Sequence, residues 1–302
     1  MDKHDLIILG AGPAGITASI YAARKKPDFL VISKDIGGQV NWSGEVDNYT
    51  GYQLMAGSEL ISKFEEHMKK YNISFKENET VKEVKREDNF IKVLTDKGEY
   101  QAKAVIIATG KKSKELGLKE ENRFKNKGLT YCATCDGPLF SNKEVAVIGG
   151  GNSALDAALQ LMNIAKKVYI INFSDNLTGD KVMQDKLNKK DNVEVFNKSK
   201  VTAIKGELMV SGISINTPEG DKNLDVEGIF VEIGLIPNST FVKEVEKNDI
   251  GEIKVSCNNK TNIKGIFAAG DVTDAPEKQI IVACGEGAKA ALGTFRYLMG
   301  EE

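Results

Sequence analysis

The sequence predicts an α/β fold with two Rossmann-like dinucleotide-binding domains, the second inserted in the first. Three observations predict it. A short apolar run at 5–9 meets Gly10-Ala11-Gly12-Pro13-Ala14-Gly15 and leads into an alanine-rich helical stretch at 16–25. The same order recurs at 145–148, Gly149-Gly150-Gly151-Asn152-Ser153-Ala154 and 154–163. Apolar runs ending on glycine follow each unit, at 104–110, 229–234 and 265–270.

The first unit needs strand, turn, helix and a second strand at 29–32, which is the parallel crossover of a doubly wound sheet. In its turn Gly10 permits the tight bend, Gly12 lets backbone approach a pyrophosphate, and Gly15 lets helix and strand pack closely. The helix starts at Pro13 and Ala14, and the free N–H groups that follow Pro13 attract the phosphates. The motif is specific only in this strand–turn–helix context. An acidic residue normally closes the second strand to hold a ribose hydroxyl. Here Ser33 and Lys34 follow the strand and the nearest acid is Asp35, so Ser33 is the remaining candidate for a weaker hydrogen bond.

The second turn is looser, with Ala154 at the third glycine position, which tolerates it. Gly151, Asn152 and Ser153 are its expected phosphate contacts. Asn172 stands at the ribose position after the strand at 168–171. It is neutral, and no arginine occurs from 124 to 295. A 2′-phosphate is normally gripped by an arginine fork, so the pattern favours NADH over NADPH. Lys166, Lys167 and Lys181 are the cations left for a phosphate, and Asn172 reads equally well as a strand-end turn residue.

The insertion is placed at 114–243, leaving 1–113 and 244–302 as the first domain. The closing helix is expected at 280–299. With 302 residues, about two domains are expected. An apolar fraction of 41% excludes a disordered chain. The formal charge of −2 comes without any basic tract, which argues against a nucleic-acid or membrane surface and for a small-molecule or protein substrate. The N-terminus lacks the basic start and cleavage site of a signal peptide, and no apolar run reaches the ~18 residues of a membrane helix. The expected location is cytoplasmic.

Reactivity points to Cys132-Ala133-Thr134-Cys135-Asp136. Thiols at this spacing can close a small disulfide, and such pairs often exchange with a substrate disulfide. Asp136 is a candidate proton donor, or the residue that fixes the turn before Gly137-Pro138. A zinc clip is the rival reading. It would need four ligands, and the other candidates, Cys257, Cys284, His4 and His67, are single and remote in sequence. No metal is therefore expected.

Together these residues resemble the low-molecular-weight thioredoxin reductase family, with a nearer likeness to the flavoprotein part of the bacterial alkyl hydroperoxide reductase system. Further carriers are Gly37-Gly38-Gln39, Asp47-Asn48-Tyr49, Ala108-Thr109-Gly110, Pro237-Asn238, Ala268-Ala269-Gly270-Asp271, Gln279 and Gly285-Glu286-Gly287. The resemblance spans essentially the whole chain. It implies FAD in the first domain, contacted by Gly12, Gly38, Gln39, Asn48, Ala108, Thr109, Gly110, Gly270, Asp271, Gln279 and Ile280. It implies a nicotinamide nucleotide in the second, with Cys135 facing the flavin, Cys132 attacking the substrate and Asp136 handling the proton. It further implies a homodimer and a thioredoxin-like or glutaredoxin-like small redox protein as partner. The chain departs from the family at Asn172-Phe173-Ser174, where NADPH-dependent members carry a His-Arg-Arg type segment and the peroxide-linked relatives an acidic residue at the first position. Two alternatives stay open: ferredoxin or another non-nicotinamide donor, and a flavin redox sensor without turnover.

Overall fold

The computed structural model describes residues 2–42, 45–46 and 48–301. Asp47, one carrier of the resemblance, lies outside the described residues. In chain order the first elements are β1 (Asp2–Ala11), α1 (Pro13–Lys25), β2 (Phe29–Ile36), α2 (Gly57–Lys69), β3 (Ser74–Lys76), β4 (Val81–Arg86), β5 (Ile91–Thr95) and β6 (Glu99–Ile107). Then come β7 (Leu129–Thr130), α3 (Ala133–Asp136), β8 (Glu144–Ile148), α4 (Asn152–Leu161), β9 (Lys167–Ile171), α5 (Lys181–Leu187) and β10 (Val193–Phe196). The chain closes with β11 (Lys200–Gly206), β12 (Val210–Thr217), β13 (Gly220–Leu224), β14 (Gly228–Val231), β15 (Ile266–Ala268) and α6 (Ile280–Leu298).

Two compact units result. The first comprises Met1–Asn41, Tyr49–Lys112 and Ile236–Glu302, and the second Trp42–Asn48 and Ser113–Leu235. Sequence pattern places the return to the first domain at 244, whereas 236–243 already belong to it. The cause is local bonding and burial. Asn238 donates its backbone N–H to Gly110 O at 3.0 Å and its side-chain amide to Thr109 O at 2.9 Å, while Thr109 Oγ1 donates to Asn238 O at 2.6 Å. Val242 is fully buried in the same core.

In the first unit the sheet runs β3-β2-β1-β6-β5-β4, with β15 also paired to β6. Strands β2, β1, β6 and β15 are parallel, with Ile8 opposite Val31 and Ile106. Parallel strands are covered on both faces, so both sets of alternating side chains are apolar. Leu6, Ile8, Val31 and Ile106 pack on one face with Ile16, Ala18 and Ala290 of the helices. Ile7, Leu9, Val105 and Ile107 pack on the other with Val242, Ile253 and Val272. Helix α1 starts with Pro13 in its first turn, where a missing N–H costs nothing, and ends on Lys26 in the left-handed region at φ 59°.

The second unit repeats the scheme as β7-β14-β8-β9-β10, all parallel. Val145, Val147, Val168 and Ile170 face helix α4 through Leu155, Ala158 and Leu161. Ala146, Ile148, Tyr169 and Ile171 face the antiparallel β11-β12-β13 sheet through Val201, Ile213 and Ile215. Both turns thus sit at the carboxyl ends of parallel strands, where open α/β sheets place ligands.

Candidate functional site

In the first unit the glycine turn is built by exclusion. A Cβ on Gly15 would stand 1.8 Å from Gly10 O, and one on Gly10 would stand 2.3 Å from Ala108 O, with Gly10 itself at φ +104°. Gly12 differs: nothing lies within 4 Å of its Cβ position. That opening, at the N-terminus of α1, fits the close approach of a pyrophosphate. Gly38 lies across from it, its Cβ position 3.7 Å from the Gly12 Cα. A Cβ added to Gly270 would stand 2.9 Å from the Ala14 Cβ, and one added to Gly287 2.1 Å from the Ala14 carbonyl oxygen. The structure therefore gathers Gly10, Gly12, Pro13, Ala14, Gly15, Gly38, Ala108 and Gly270 around one turn.

Several neighbours have structural duties. Gln39 donates to Lys111 O at 2.7 Å, and the Thr109 hydroxyl is committed to Asn238. Ser33 is buried; it accepts from Ala11 N at 3.1 Å and donates to Asp35 O at 2.7 Å. Its one proton is spent, so it has none to donate to a ribose hydroxyl. Gln279 stands at the N-cap position of α6 without a side-chain cap bond and Ile280 begins the helix, while Asn48 belongs to the second unit.

Sequence reasoning leaves two charged features of this unit without a role. Buried Glu286 accepts from Gly270 N at 2.7 Å and from Thr273 Oγ1 at 3.1 Å, fixing the turn that carries Asp271. Burial pushes the Asp271 carboxyl above its ordinary range, against the opposing pull of Lys278 and Lys111. Lys111 and Lys278 both pair with Glu252. Burial would raise Glu252, but hydrogen bonds from Lys111, Asn248 and Lys278 prevail and hold it below its usual value. A lysine directly after Thr109-Gly110 is the visible signal, but its partner lies 141 residues away.

In the second unit Cys132 and Cys135 are joined as a disulfide, Cα to Cα 5.3 Å. Cys132 caps helix α3, its sulfur accepting from Cys135 N at 3.2 Å. Asp136, next in the chain after Cys135, is buried. Thr130 Oγ1 donates to its carboxylate and accepts from Cys132 N at 3.3 Å. One hydroxyl therefore connects the carboxyl to the backbone of the disulfide turn. The preceding segment is anchored by buried Glu121, which accepts from Leu116 N, Gly117 N and the Tyr131 hydroxyl at 2.8, 2.9 and 2.7 Å. Burial and then that bond to Glu121 raise the Tyr131 phenol, which stays protonated.

The same unit holds a cavity of about 490 Å³ lined by Gly149, Gly150, Gly151, Asn152, Ser153, Asn172, Phe173, Ser174, Thr178, Lys200 and Glu232, among others. Gly151 opens onto it: a Cβ added there would meet nothing closer than Thr178 Oγ1 at 3.9 Å. Asn172 is 3% exposed. It donates to Ser174 O at 3.1 Å and Asn197 Oδ1 at 2.8 Å and accepts from Ser174 N at 3.2 Å. Both amide protons are internal, so Asn172 shapes the strand end rather than presenting a donor. Phe173 beside it is 77% exposed. Glu232 is the carboxylate in this lining. Burial drives its pKa up to about 7 against the Ala133 N–H, which lowers it, and Asp156, which adds to the rise.

Comparison with known proteins agrees with this layout. The pyridine nucleotide-disulphide oxidoreductase family matches residues 4–287. The F component of alkyl hydroperoxide reductase in Staphylococcus aureus (strain MSSA476) is 42% identical over 99% of this chain, and that of Staphylococcus epidermidis 40% over 99%. The chain spans 60% of the length of these relatives. Thioredoxin reductase from Streptococcus pyogenes MGAS5005 is 36% identical, covers 99% of both chains and superimposes with a TM-score of 0.92.

Proposed function

The chain belongs to the pyridine nucleotide-disulphide oxidoreductase family, and we propose that within it the protein is a flavin-dependent disulfide reductase. Electrons pass from a nicotinamide nucleotide through FAD and Cys132–Cys135 to a disulfide on a small thioredoxin-like or glutaredoxin-like protein. The observation that carries this reading is the Cys132–Cys135 disulfide with buried Asp136 next in the chain, in the unit that also holds a glycine-lined cavity.

FAD, bound in the first unit, would supply the chemistry that accepts a hydride from a nicotinamide and passes an electron pair to a disulfide. Gly10, Gly12, Pro13, Ala14, Gly15, Gly38, Gln39, Asn48, Ala108, Thr109, Gly110, Gly270, Asp271, Gln279 and Ile280 would hold it, the open face at Gly12 receiving its phosphates. Reduction leaves two thiols. Cys132, as thiolate, attacks one sulfur of the substrate disulfide, and the other substrate sulfur leaves and takes a proton. Cys135 then attacks Cys132, restoring their bond and releasing the second substrate thiol. Asp136 supplies and recovers the protons, steadied by Thr130.

For the donor we favour NADH. The cavity offers Gly151, Asn152 and Ser153 to phosphates and exposed Phe173 to an adenine face, but no arginine to a 2′-phosphate. Anaerobic mixing of the yellow protein with NADH and, separately, NADPH tests this. Rapid bleaching of the flavin absorbance by NADH, with NADPH much slower, is the expected outcome. Bleaching by neither would move the donor to a reduced carrier. A ferredoxin-flavin thioredoxin reductase of Clostridium acetobutylicum is 30% identical, with a TM-score of 0.56. The open cavity beside Gly151 favours the nicotinamide reading. A homodimer, checked by light scattering, completes the proposal. Among the described residues no helix is long and apolar enough to cross a membrane, and we expect the protein in the cytoplasm.

A further inference from the structure

Glu232 stands where the second glycine turn and the redox turn meet. Its backbone N–H donates to Ile148 O at 2.8 Å, and its carbonyl oxygen lies 2.4 Å from where a Gly149 Cβ would be, so the turn is seated on it. The residue lines the cavity together with Gly149, Gly151 and Asn172, and its carboxyl takes a hydrogen bond from the N–H of Ala133, between the two cysteines. The corresponding place in the first unit is held by Ala108, whose N–H donates to Leu9 O at 2.7 Å and whose carbonyl seats Gly10. A carboxylate beside a phosphate-binding turn opposes an anionic ligand.

We propose that Glu232 is the proton-holding residue of this cavity, so that a dinucleotide enters together with a proton that Glu232 takes up. The inference rests on reading the cavity as the nicotinamide nucleotide site. The charged groups around the carboxyl are few. Asp156 on α4 pushes toward the protonated form, and the Ala133 amide on α3 favours the ionised one. Lys200 on β11 lines the cavity, and Lys114 approaches Gly234 beyond β14, its Nζ 3.7 Å from that Cβ position. In the free protein Glu232 is poised near neutrality by burial. A doubly charged pyrophosphate raises its proton affinity further. Between the free and bound pKa values binding is therefore coupled to proton uptake, and affinity falls as pH rises. Protonation also releases the charge that faces Ala133, so filling the cavity is communicated to the redox turn within the same unit. Glu232 is in this sense a positioning residue.

The test is titration calorimetry of the flavin-loaded protein with NAD⁺ at pH 6 to 9, in phosphate and in Tris, whose ionisation heats differ. NAD⁺ leaves an oxidised flavin unchanged, so only binding is read. The expected result is pH-independent affinity below about 7 and a fall approaching roughly tenfold per pH unit above it, with a buffer-dependent heat that reports proton uptake. Glu232→Gln should bind NAD⁺ with flat pH dependence and no uptake. Asp156→Asn should keep the uptake and move its onset to lower pH, which gives a second route if the first variant folds poorly. Wild-type binding without proton uptake, or uptake that persists in Glu232→Gln, would overturn the proposal while leaving the nucleotide site standing. No NAD⁺ binding at any pH would overturn both.

Discussion

The two glycine turns are built on one plan and finished differently. Each opens with a glycine of positive φ, Gly10 at +104° and Gly149 at +138°, pressed against the carbonyl of a strand end. Each is followed by a second strand with a polar residue that closes a local turn on itself, Ser33 within β2 through Asp35 O and Asn172 just after β9 through Ser174. The first turn is then walled in by Gly38, Ala108, Gly270 and Gly287. The second opens onto a cavity and carries Glu232 where the first has Ala108. The difference suits a cofactor held throughout turnover in one unit and a substrate that comes and goes in the other.

The largest expected effect separates the two units by chemistry. Cys135→Ser should lower disulfide-reducing turnover by at least about 10³-fold and leave flavin content and bleaching by NADH intact. Loss of bleaching as well would mean the units do not divide the work as proposed. Next comes the third position of each turn. Gly15→Ala drives a Cβ to 1.8 Å from backbone oxygen and should cost about 3 kcal/mol or more, with loss of bound flavin. Ala154→Gly in the second turn should cost no more than about 1 kcal/mol. Thermal melts of the two variants sharpen the comparison, and equal losses would break it.

A smaller effect is expected at the adenosine end of the cavity. Ser174→Arg offers a guanidinium to a 2′-phosphate and should raise the NADPH-to-NADH ratio of kcat/KM by about tenfold. An unchanged ratio would place the ribose elsewhere. The smallest is a slope. A folded pKa of about 7 for Glu232, against 4.5 for an ordinary glutamate, means the folded state holds a proton that the unfolded state releases. Its stabilising share is present below about 4.5 and is lost as pH rises to about 7. The rate of loss is at most about 1.4 kcal/mol per pH unit. Denaturant melts of wild type and Glu232→Gln should differ in slope across that window and run parallel above it.

The sequence by itself determined the fold class, the inserted second unit, both glycine turns and the redox pair. Each is written in contiguous residues: apolar runs with two buried faces, glycines at fixed spacing, two cysteines three residues apart. The tertiary structure decided which polar groups remain available. Asn172 and Ser33 are ribose candidates in the sequence because they follow the apolar runs at 168–171 and 29–32, yet their protons are spent on Ser174, Asn197 and Asp35. Glu286 stands out only as part of Gly285-Glu286-Gly287, and nothing in their local sequence marks the duties of Glu252 and Glu232. Their roles depend on Gly270, Lys111 and Ala133, which lie 16, 141 and about a hundred residues away. Local pattern fixes backbone geometry because sterics act between neighbours in the chain. Hydrogen-bond allegiance and burial are set by groups that meet only after folding, and they decide what a side chain can still offer a ligand.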